Sequence, residues 1–259
     1  MNHSSRIQQL FAHNKAFIAY LTAGDGGINR TLDAALALID GGINMLEIGM
    51  PFSDPIADGP VIQCAAARSL AAGTTFHEVL WLTKQLRYRS NIPLILFSYC
   101  NPILSALAAN LLHEAKDAGI DGLLLVDCPL EESQLIQQQC RQYEIDLIYI
   151  ISSTTTLARV ERINQHAHGF LYYACQKGTT GLRNALPDDF PSKIKTIKSV
   201  VDLPVVVGFG ISNQAMVDAV LAYADGVVLG SLFVNALAKG SPPASLVQLT
   251  RELLAGVSI

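Results

Sequence analysis

Eight short apolar runs, separated by segments of helical spacing, constrain this chain more than any other feature. They cover Ala16–Leu21, the run opening at Met45, and then Ile92–Phe97, Gly122–Val126, Asp146–Ile151, Gly169–Ala174, Pro204–Val207 and Gly226–Leu229. A strand buried on both faces is a continuous apolar run, and parallel neighbours need a crossover between them that is usually a helix. Helical periodicity or cap signals fall between the runs at Thr31–Asp40, Val61–Leu70, Ile103–Ala118, Glu131–Tyr143, Leu157–Gln165, Pro191–Ser199 and Asn213–Tyr223. Eight such units predict a single closed (β/α)8 TIM barrel over residues 1–259. An open doubly wound sheet would carry a glycine fingerprint after its first strand, and Ala23-Gly24-Asp25-Gly26-Gly27 does not fit GxGxxG.

Composition narrows the ligand class. Half of the 259 residues are hydrophobic, only 15% are charged, and the formal charge is −4. The only close pair of cations in the apolar-rich second half is Lys193-Ile194-Lys195, so neither nucleic acid nor an anionic membrane is the expected partner. The five cysteines are scattered and never in metal-ligand spacing. They predict reduced thiols, a cytoplasmic location and no metal.

In a barrel, chemistry gathers where strands end and βα loops begin. Glu47 lies inside an apolar strand, where a carboxylate costs several kcal/mol unless it faces a cleft or stays protonated. Alternation with Met45 points it into the barrel mouth, and such a group suits proton transfer near neutral pH. Asp58, in the following loop, is expected in a more polar setting, ionised and accepting a hydrogen bond. Asp54 is equally well a loop or cap residue. Strand 7 ends in Val207-Gly208-Phe209-Gly210, and strand 8 in Leu229-Gly230-Ser231 before a short helical stretch, Leu232–Ala238. Two consecutive glycine loops and a helix N-terminus predict a phosphate site after strands 7 and 8. Gly178-Thr179-Thr180-Gly181 supplies a third small-residue loop, and Tyr99 and Tyr172 also fall at strand ends. Asp121 and Asp225 precede strands and belong to the opposite face. No histidine lies at a strand end.

Glu47-Ile48-Gly49-Met50-Pro51-Phe52-Ser53-Asp54-Pro55-Ile56-Ala57-Asp58-Gly59-Pro60 resembles the signature of the tryptophan synthase α subunit family, and Tyr20-Leu21-Thr22-Ala23-Gly24-Asp25 resembles its first-strand motif. The resemblance implies retro-aldol cleavage of indole-3-glycerol phosphate to indole and glyceraldehyde 3-phosphate. It implies Glu47 as the general acid/base and Asp58 as the carboxylate holding the indole N–H. Gly181, Gly210, Gly230 and Ser231 match phosphate contacts, Tyr99, Tyr172 and Phe209 match positions beside the substrate, and Thr180 matches a lid threonine. A pyridoxal-phosphate β subunit is the implied partner, in an αββα complex, with no cofactor in this chain. Ala19, Gly26, Val126, Cys175-Gln176 and Leu232-Phe233 depart from the usual pattern. Two other readings stand beside this one: a Schiff-base aldolase using Lys177, and a binding subunit acting mainly as a partner's activator.

Overall fold

The computed structural model describes residues 5–108, 111–175, 186–208 and 210–257. Its strands are β1 (Ala16–Thr22), β2 (Met45–Gly49), β3 (Leu94–Ser98), β4 (Gly122–Leu125), β5 (Asp146–Ser152), β6 (Leu171–Ala174), β7 (Val205–Gly208) and β8 (Gly226–Leu229). All pair in parallel in sequence order, and β8 returns to β1 through Ala16↔Gly226, closing the barrel. The TIM barrel is therefore the observed architecture.

Helices α1 (Arg6–His13), α2 (Ile28–Gly41), α3 (Pro60–Ala71), α4 (Phe76–Arg89), α5 (Cys100–Ala108) and α6 (Leu111–Ala118) belong to the first half. Helices α7 (Gln134–Gln142), α8 (Leu157–Asn164), α9 (Phe190–Lys198), α10 (Gln214–Leu221), α11 (Ser231–Ala238) and α12 (Pro243–Leu254) belong to the second. The helix expected over Ile103–Ala118 starts three residues earlier and corresponds to α5 and α6. The one expected from Glu131 begins instead as a 3-10 turn, Leu130–Glu132, followed by α7. Helices α1, α4 and α12 are additional to the expected set. Both α1 and α4 open with a capping box, Ser5 with Gln8 and Thr75 with Glu78, which satisfies backbone donors at each start.

Strand alternation divides the apolar core into two layers. Phe17, Ala19, Leu21, Leu46 and Ile48 pack outward against the helices. Ile18, Tyr20, Met45, Ile95, Phe97 and Tyr172 face inward and fill the barrel. Each such aliphatic side chain contributes about 1.5–3 kcal/mol on burial, so a one-residue register slip, which exchanges the layers, is strongly disfavoured.

Candidate active site

Register decides where Glu47 points. Its neighbours Leu46 and Ile48 lie in the outer layer and Met45 in the inner one, so the Glu47 carboxyl enters the barrel interior. It is 1% exposed, and Oε1 has no hydrogen-bond partner among the described residues. Burial pushes this carboxyl up to about 8. A buried carboxyl without compensation avoids the desolvation cost by holding its proton, and it remains ready to exchange that proton at the cavity surface.

Asp58 reaches the same cavity from the β2–α3 loop. The helix that follows starts with Gly59 as N-cap and Pro60 inside its first turn, with no side-chain cap, so the Asp58 carboxylate is free for other contacts. Tyr99 Oη donates to Asp58 Oδ2 at 3.0 Å and accepts from the Ala57 N–H at 3.0 Å. Gln63 Nε2 donates to the Asp58 carbonyl at 2.9 Å, fixing the loop from the helix side. Asp58 is only 5% exposed, more enclosed than its loop position suggests. Burial pushes its carboxyl up to about 6, opposed by the Tyr99 hydrogen bond. The two carboxyls thus differ near pH 7: Glu47 is mainly protonated and Asp58 mainly ionised.

The other side of the cavity comes from β7, β8 and α11. Gly210, Gly230 and Ser231 line it together with Glu47 and Asp58. Gly210 has φ +84°, a left-handed conformation that glycine adopts without the Cβ penalty. Gly230 is the N-cap of α11 and Ser231 its first residue, which turns the positive end of that helix toward the cavity. The walls between the carboxyls and this end are apolar, with Ile62, Phe97, Ile211 and Val228.

Tyr172 lines the cavity, is 4% exposed, and is kept neutral by burial and by the Glu47 charge. Tyr99 does not line it and acts through Asp58 instead. Thr180, Gly181 and Phe209 lie outside the described residues, as do Lys177, Gln176 and the 178–184 loop. Among the described residues no lysine lines the cavity. Asp54 is exposed and accepts from its neighbour Ser53 at 2.6 Å. Asp127 accepts from the Cys100 N–H at 2.6 Å, holding the start of α5.

Sequence reasoning did not single out Tyr20 as a site residue. Its ring meets Phe97 edge-on at 5.0 Å, and its hydroxyl lies 3.3 Å from Thr22 Oγ1. The hydroxyl passes so close to Gly49 that a Cβ there would sit 2.2 Å from it. Burial first, then the Asp58 charge, raises its pKa well above the usual value, so it is a neutral phenol beside both carboxyls. The available signal was its pairing partner: Tyr20 stands opposite Glu47 in the β1–β2 register.

A family model described as tryptophan synthase alpha chain matches residues 7–255. The chain belongs to that family. A tryptophan synthase alpha chain of Coxiella burnetii is 51% identical over 249 residues, covering 96% of this chain and 97% of the relative. That of Chlamydia caviae is 44% identical over 253 residues, covering 96% and 98%. A solved chain of Mycobacterium tuberculosis tryptophan synthase superposes with a TM-score of 0.90 at 31% identity, covering 99% of this chain and 100% of that one. The tryptophan synthase A-subunit of Pyrococcus furiosus superposes at 0.86 with 35% identity, covering 94% and 99%. Family and fold thus agree across nearly the whole chain, including the strands that carry Glu47, Tyr172 and Gly230.

Proposed function

We propose that this chain is the α subunit of a tryptophan synthase and a carbon–carbon lyase that splits indole-3-glycerol phosphate into indole and glyceraldehyde 3-phosphate. The observation that carries the reading is the pair of unlike carboxyls in one cavity: a buried, unpartnered Glu47 and an Asp58 held by Tyr99. Glu47 gives its proton to indole C3. Asp58, ionised, accepts the indole N–H and balances the cation that forms. The Glu47 carboxylate then takes the proton of the glycerol hydroxyl beside the scissile bond, the C–C bond breaks, and the aldehyde leaves with indole. Gly210, Gly230 and Ser231 are assigned to the phosphate, and Gly181 joins them on resemblance. Tyr172 and Phe209 are assigned to the substrate's flank, and Thr180 to a closing loop.

The partner in this reading is the β subunit, in an αββα assembly, with pyridoxal phosphate in the partner and no cofactor or metal here. Ile56, 79% exposed on the loop carrying Asp58, and Leu104, 44% exposed on α5, are apolar residues suited to that contact. The whole chain acts as one barrel domain. No described helix is long and apolar enough to cross a membrane, and the cytoplasm is the proposed location.

The test is indole release from indole-3-glycerol phosphate, with and without the β subunit. Wild type releases indole. Glu47→Gln and Asp58→Asn each lose the activity while keeping the far-ultraviolet circular dichroism of the fold. Appreciable turnover by either variant with partner present overturns the assignment. Borohydride trapping of substrate on the protein would instead support the Schiff-base alternative.

A further inference from the structure

Two thiols meet at the rim of the barrel mouth. Cys100 is the first residue of α5, after β3, and Cys128 follows β4. The strands are hydrogen-bonded neighbours, with Ser98↔Leu125 in register and Val126 N–H donating to the Ser98 carbonyl at 3.1 Å. The Cys100 N–H then donates to Asp127 at 2.6 Å, so the two loops remain clamped beyond the strand ends. The thiols share a side-chain hydrogen bond that favours the Cys100 thiolate and the Cys128 thiol. Both are partly exposed, whereas Cys140 and Cys175 are buried. Neighbouring strands lie about 4.8 Å apart, within the Cα span of about 4.4–6.8 Å that a disulfide bridges.

We propose that Cys100 and Cys128 form a reversible disulfide that acts on the catalytic site through Tyr99. The oxidant is a low-molecular-weight disulfide of the glutathione class. The Cys100 thiolate attacks one sulfur of that disulfide, forming a mixed disulfide and releasing one glutathione thiolate. The Cys128 thiolate then attacks the Cys100 sulfur, forming the intramolecular S–S bond and releasing the second glutathione. The two protein protons end on the two glutathione thiols, and two electrons pass from the cysteine pair to the oxidant. The N-terminal end of α5 favours a thiolate at Cys100, while burial and the charges of Asp127 and Glu132 oppose ionisation at both sulfurs. Exchange is therefore faster at pH 8.5 than at pH 7.

The consequence for catalysis follows from adjacency and rests on the role given to Asp58 above. Bonding draws the sulfurs to about 2.05 Å, well inside hydrogen-bond contact. The residue before Cys100 is Tyr99, whose hydroxyl holds Asp58 Oδ2. Misplacement of a catalytic group by about 1 Å costs up to about a hundredfold. Oxidised enzyme is expected to lose about tenfold or more in kcat/KM.

The experiment incubates the full-length protein with excess glutathione disulfide at pH 8.5, then maps disulfides by mass spectrometry and measures indole release. The proposal expects a loss of about 2 Da, a cross-link between Cys100 and Cys128 located by fragmentation, and a fall in rate reversed by dithiothreitol. Cys128→Ser and Cys100→Ser are expected to keep their rate under the same treatment. Absence of the cross-link, or adducts that remain as separate mixed disulfides, overturns the proposal. So does a cross-link without a change in rate, or an equal loss in the serine variants. A reduced enzyme that releases no indole would instead remove the lyase reading and leave the cross-link standing.

Discussion

Glu47 and Asp58 differ by a single hydrogen bond more than by depth. Both are nearly inaccessible, yet only Asp58 receives a phenolic donor, and burial pushes it to about 6 against about 8 for Glu47. The sign of the pH dependence follows. Asp58 must be ionised to hold the indole N–H, so the rate rises with pH through its value. Glu47 must begin protonated, so the rate falls as pH passes its own. The expected kcat/KM profile is a bell with limbs near 6 and 8, which belong to the coupled pair rather than to isolated groups. A pH series of initial rates under saturating β subunit checks this. A rate that climbs steadily to pH 9 would remove the protonated-acid role from Glu47.

At the scale of the element, the β2–α3 loop is held by a residue more than forty positions away. Tyr99 ties Ala57 and Asp58 to the end of β3, and its ring packs on Phe52 at 5.1 Å. Tyr99→Phe keeps the ring contact and removes the donor that lowers Asp58. A hydrogen bond to a charged group is worth about 1.5 kcal/mol, so the acid limb should move up by about one pH unit while the basic limb stays. A merely structural loss would lower the whole profile without moving a limb. This contact also marks how far the sequence could be read. The strands were legible because each is a continuous apolar run, and Glu47 because a charge interrupts one. The enclosure of Asp58 was not, since it depends on Tyr99, Gln63 and the closed barrel bringing distant segments together. Tyr20 escaped for the same reason, needing the β1–β2 register to place it opposite Glu47. Helix α4 is different: Thr75 and Glu78 announce it, but a scheme of one helix per strand leaves no room for a second helix between β2 and β3.

Across the whole molecule the two ends of the barrel divide the work. The mouth holds a buried carboxyl without a partner, and the opposite end satisfies its charges fully. Asp121, 5% exposed, accepts from Arg6 at 2.8 Å, from Arg87 at 2.7 Å and from the Leu94 N–H at 2.9 Å. Its own carbonyl accepts from the Asp146 N–H at 2.9 Å, so one residue joins β3, β4 and β5 to α1 and α4. Removing one partner of a buried ion pair costs about 3–5 kcal/mol, because the remaining charge is left uncompensated. The half-exposed Arg6 can turn to water, but Arg87, at 16% exposure, has less freedom. Asp121→Ala is therefore expected to lose about 3 kcal/mol, seen as a lower urea midpoint at unchanged slope. Because Asp121 touches no residue of the mouth, indole release per folded molecule at 20 °C should stay within about twofold of wild type. A large fall in kcat from fully folded variant would show that the basal ion cluster reaches the carboxyl pair through the strands, against the separation of stability and chemistry that the barrel otherwise displays.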